Sequence, residues 1–98
     1  MTVKLITFKT NHTILAKAEL AEYHVVVKQP VQVIMQPTKE GPMMGFSPFL
    51  EYCEEFNSGI EIDLNDVLCI TTPVIDLQNQ YNKIFGSGIQ IASTIPPM

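Results

Sequence analysis

The sequence predicts a mostly β domain: about five to six antiparallel strands, one short helix near residues 73–85, and closure into a small barrel. Three observations carry that expectation. Apolar residues alternate with a period of two in several short runs. Turn-forming residues separate those runs at short intervals. The period becomes helical only once, after Pro73.

The elements follow in order. Val3 to Phe8 is rich in β-branched and apolar residues and reads as a strand. Lys9-Thr10-Asn11-His12 reads as a turn, with Asn11 suited to positive φ. From Thr13 to Ala21, Ile14, Ala16, Ala18 and Leu20 face one way and Thr13, Leu15, Lys17 and Glu19 the other. Glu22-Tyr23 makes the next tight connection. His24 to Lys28 is a third strand, and Val31 to Met35 continues it beyond Pro30, which marks a bend, bulge or edge.

Pro37 to Pro48 reads as a loose stretch, because Gly41, Pro42, Gly45 and Pro48 punctuate it. Met43, Met44 and Phe46 are unusual for such a stretch. They are expected to pack under the loop, against a neighbouring subunit or onto a ligand. Phe49 to Tyr52 resumes a strand in this reading, and Asn57-Ser58-Gly59 turns into Ile60 to Leu64. Val67 to Thr71 is a continuous apolar run, expected to be central. Thr72 is the expected N-cap, with Pro73 at the first helical position. Ile75, Leu77, Tyr81, Ile84 and Phe85 form the helical face, and Gly86 is the stop. Gly88 to Ser93 reads as a last strand, and Ile95 to Met98 as a loose tail.

Length and composition narrow the function classes. The chain has 98 residues, which is one domain of 1–98 with a thin core. Its hydrophobic fraction is 46% and its mean hydropathy +0.17, so either a well-filled monomer core or a subunit interface accounts for the apolar material. The net charge is −4 and there is no arginine. Residues 1–40 hold five lysines against three glutamates, whereas the remainder holds one lysine against seven carboxylates. Duplex DNA binding needs phosphate neutralisation, so it is not expected. A local lysine face in the first half stays open. Cys53 and Cys69 form neither a disulfide framework nor a metal knuckle. Cys69 reads as a core residue and Cys53 as exposed. The opening residues carry no long apolar run, and none nears the ~20 residues of a membrane span. A cytoplasmic protein, with no cofactor and no metal, is expected.

Catalysis is not expected either. His12 and His24 do not cluster with other ligands by spacing. Glu51, Glu54 and Glu55 read as a solvated acidic face. Gly86-Ser87-Gly88 lacks the strand–loop–helix order and the lysine of a phosphate loop. No nucleophile–base pairing is apparent.

The stretch Val3 to Gln36 resembles the first half of an Sm-like (LSm) domain, and Ile84-Phe85-Gly86-Ser87-Gly88-Ile89-Gln90-Ile91 is similar to that family's second motif. More narrowly, Lys4 to Thr10, Pro30 to Gly41 and Phe85 to Ile89 look like small Sm-like proteins encoded by marine phages of cyanobacteria. The resemblance implies an SH3-like barrel whose edges pair between subunits into a homo-oligomeric ring of five to seven. It also implies single-stranded RNA in the pore. On the matching positions the RNA-binding candidates are Glu22, Tyr23, His24, Lys28, Phe85 and Gly86. The chain departs from the pattern at the asparagine of the first motif, which is missing, and at the arginine of the second, where Phe85 stands. The segment 37–59 is an addition to the family pattern. Two functions follow as expectations. One is an RNA-binding ring. The other is a structural or protein-interaction ring, possible in a virion, that uses Met43, Met44, Phe46 and Phe49.

Overall fold

The computed structural model describes residues 2–86. The expected last strand, 88–93, and the tail lie outside the described residues. The strands are β1 (Thr2–Phe8), β2 (Thr13–Leu20), β3 (His24–Thr38), β4 (Gly41–Pro48), β5 (Ile60–Asp63) and β6 (Val67–Thr71), followed by α1 (Ile75–Phe85). All pairings are antiparallel. The sheet runs β4-β3-β2-β1-β6, with β5 on β3 beside this path. A 3-10 turn at Leu64–Asp66 carries the chain from β5, on β3, to β6, on β1. That short link closes the sheet on itself. The fold is a small, mostly β, SH3-like barrel with one helix, as the sequence predicts.

β3 is the strand on which the barrel turns. Its first half pairs with β2 and β5, and its second half with β4. Leu15 faces Val31 and Lys17 faces Lys28, so β3 carries one extra residue between those pairs. The bulge falls at Gln29, at φ +53°, and Pro30. Proline has no N–H to leave unpaired there, and a bulge sharpens the local twist.

Burying one face of β2 forms the barrel interior, from Ile6, Ile14, Ala16, Ala18, Val25 and Val27. The other face is also partly buried. Leu15 and Val31 pack with Leu77 and Tyr81 of α1. Tyr81 is fully buried, and its hydroxyl lies 3.1 Å from the Lys28 carbonyl and 2.7 Å from that of Gln29. The helix therefore donates to two carbonyls at the bulge while covering β2 and β3.

Several local expectations need correction. The stretch 37–48 is not loose: β3 extends to Thr38, and a tight turn at Lys39-Glu40 leads into β4. The Thr38 hydroxyl donates to the Gly41 carbonyl and secures that turn. Glycine and proline are tolerated because, among the described residues, β4 bonds to β3 alone. Phe49 to Tyr52 is not a strand: Leu50 takes a left-handed φ of +59°, and a 3-10 turn follows at Glu54–Phe56. β6 is not central; among the described residues it pairs with β1 alone. Cys69 is consequently exposed and Cys53 half-buried, the reverse of the expectation. Leu20 is exposed because it lies at the end of β2, past the closed part of the barrel. Val74, not Thr72, caps α1, and Thr72 instead accepts from the Lys4 ammonium at 3.1 Å. Ile75 and Ile84 of the expected helical face are exposed. Gly86 does terminate the helix, at φ +45°, with its N–H on the Asn82 carbonyl.

Candidate functional site

The turn between β2 and β3 presents Glu22 and Tyr23 at one end of the barrel. Tyr23 is 76% exposed, which is high for a large aromatic side chain. Its backbone is fixed: the Leu64 N–H donates to the Tyr23 carbonyl at 3.2 Å, and the Ala21 N–H to that of His24 at 2.9 Å. These bonds fix the point from which the exposed Tyr23 side chain projects.

His24 opens β3, with Nε2 3.9 Å from the Glu61 carboxylate, a contact that is ionic only when the imidazole is protonated. Opposite His24 on β5 stands Asp63, whose carboxylate accepts from the Asn65 N–H at 2.9 Å. That bond shapes the Leu64–Asp66 turn and brings Asn65 into the segment beside Tyr23. Sequence reasoning missed this neighbour. The signal was present as an Asp-Leu-Asn turn pattern, but only the closure of the barrel puts it next to Tyr23. Glu22, Glu61 and Asp63 make the surroundings acidic.

The six RNA candidates do not form one cluster. Glu22, Tyr23 and His24 lie together. Lys28 is four residues along β3, roughly 13 Å at strand spacing, and faces Lys17 across the β2–β3 ladder. Those two lysines, with Lys17 Nζ on Gln29 Oε1 at 3.0 Å, are the cationic face left open by the sequence. Phe85 and Gly86 end α1. The Phe85 ring is engaged internally, 4.8 Å from the Tyr81 ring and 6.0 Å from that of Phe56. It therefore offers little free face for a base.

The four partner candidates also divide. Met43 and Met44 are exposed on β4, where Met44 pairs with Met35 and Met43 with Gln36. Phe46 packs into the cluster under α1. Phe49 packs against the barrel interior, its ring 6.2 Å from that of Phe8. Of the four, only the methionines are exposed, and the two phenylalanines are half-buried.

Among the described residues, no group of His, Cys, Asp and Glu could hold a metal ion. No helix among them is long and apolar enough to cross a membrane. Compared with known proteins, the sequence matches no family model and no curated protein.

Proposed function

We propose that the protein is a self-assembling binding module of the Sm-like kind, a homo-oligomeric ring that holds single-stranded RNA by its bases. The observation that carries this reading is the pair of sheet edges. Among the described residues β4 bonds only to β3, and β6 only to β1, so the two unpaired edges end the same sheet path. Pro42 and Pro48 bracket residues 43–47 of β4, leaving a five-residue stretch that can pair, and β6 is also five residues long. Exposed strand edges recruit partners unless they are blunted. Pairing β4 of one copy with β6 of the next is heterologous, and rotation closes such contacts into a ring. Met43, Met44 and Leu68, all exposed on these edges, would then be covered.

RNA is the ligand supported by Tyr23. Repeated around a ring, that side chain gives one stacking platform per subunit, with Asn65 in the turn whose Leu64 N–H bonds the Tyr23 carbonyl. The acidic surroundings oppose phosphate, so affinity comes from bases and from repetition rather than from backbone neutralisation. Filter binding of a uridine-rich oligonucleotide at low salt tests this. Saturable binding should fall at least tenfold in Tyr23→Ala. Absence of binding to any homopolymer overturns the RNA reading and leaves assembly standing. The exposed Met35–Met44 cross-strand pair favours a second reading, a ring that binds protein through the β3–β4 hairpin. Virion mass spectrometry and host pull-downs test that reading.

A further inference from the structure

A second candidate site lies away from Tyr23, around the β1–β2 turn. A cleft of about 430 Å³ opens between that turn and the segment following β4. Its floor and walls are Phe8, Phe49, Leu50 and Ile62, and its rim carries Lys9, His12, Gln32 and Asp66. Pockets of this size, mostly apolar with a few polar groups at the edge, are the usual form of a small-molecule site.

Three features narrow the ligand. The Phe8 and Phe49 rings are stacked on each other, 26° apart with centroids 6.2 Å apart, so the cleft is lined by an aromatic pair. An aromatic lining favours planar rings through stacking or edge-to-face contact. Leu50 is the second feature. It is held at φ +59° and is 49% exposed. A branched residue in the left-handed region costs ~1–2 kcal/mol, and half-exposure of the side chain forgoes part of the burial that would offset it. Strain of this kind at a cleft points to function. The third feature is charge. Among the described residues, the Lys9 ammonium and the Asp66 carboxylate have no side-chain partner, and their opposite charges balance at the rim. His12 is turned by its Nδ1 contact with Thr10 Oγ1 at 2.8 Å. A balanced rim favours an uncharged ligand with both donors and acceptors over an anion.

We propose that this cleft binds an uncharged, planar heteroaromatic small molecule, held against the Phe8–Phe49 pair and walled by Leu50. Tyr23 does not line the cleft.

The test is amide NMR of the full chain at pH 7.5, titrated with benzimidazole as the planar probe and cyclohexanecarboxamide as a saturated one. Benzimidazole should shift amides of residues 8–12, Gln32, Leu50 and Ile62 saturably, and cyclohexanecarboxamide at least tenfold more weakly. Leu50→Asn removes the wall with a residue that tolerates left-handed backbone, so it should keep the fold and weaken benzimidazole roughly tenfold. Phe49→Ala should weaken it further; should that variant not fold, Leu50→Asn decides. Tyr23→Ala should leave the titration unchanged. The proposal is overturned by unshifted cleft amides, by equal response to the saturated probe, or by wild-type affinity in Leu50→Asn.

Discussion

At the residue scale, Tyr81 shows how one side chain holds an irregular strand. At the β3 bulge the Tyr81 hydroxyl donates to the carbonyl groups of Lys28 and Gln29. Gln29, at φ +53°, extends the arrangement by linking the Lys17 ammonium to the Asn57 carboxamide. Removing the hydroxyl in Tyr81→Phe should cost about 1–2 kcal/mol of stability, read as a lower urea midpoint with unchanged slope. Burial also raises the Tyr81 pKa above the ordinary tyrosine value of 10.0, and a backbone hydrogen bond with Lys17 offsets part of that rise. The sign follows directly. Below the ordinary tyrosine value both folded and unfolded chains keep the phenol protonated, and the contribution is complete. As pH rises through and above it, the unfolded chain ionises first, so stability is lost. Tyr81→Phe should lose that alkaline slope relative to the wild type.

At the element scale, legibility tracks local pattern. β1, the inward face of β2 and the helix stop at Gly86 were readable because alternation, turn chemistry and a left-handed cap are properties of short segments. β4 was hidden by its own glycines and prolines, which signal a loop unless the strand lies at an edge. β6 misled in the opposite direction. Its continuous apolar run suggests burial on both faces, yet Leu68 and Cys69 face solvent in one copy of the chain. The candidate site was half legible. Tyr23 stood out as an aromatic in a turn, whereas Asn65, Gln32 and the Phe8–Phe49 floor come together only through barrel closure. The segment between β4 and β5 is fixed to the barrel at Gly59. This residue sits at φ +136°, and a Cβ there would meet Val26 Cγ1 at 2.9 Å. Gly59→Ala combines left-handed strain with a clash against a half-buried strand residue. It should destabilise by about 1–3 kcal/mol in chemical denaturation. A neutral outcome would mean that β5 does not lie against β3 as described.

At the scale of the whole molecule, the barrel closes its interior but, among the described residues, leaves two edges and several apolar side chains outside. The thin core of so short a chain makes burial of that surface energetically useful. The proposed assembly through β4 and β6 would cover both edges without any change of fold. Leu68 is 60% exposed in the single chain, so Leu68→Lys should leave circular dichroism unchanged while removing assembly. Cys69 beside it should become less reactive to thiol reagents on assembly. The most direct measurement is the native mass of the full chain across a micromolar dilution series. One closed species of five to seven subunits, constant in mass on dilution and lost in Leu68→Lys, is the expected result. A wild-type protein that stays at the 11.0 kDa of one chain would contradict the account.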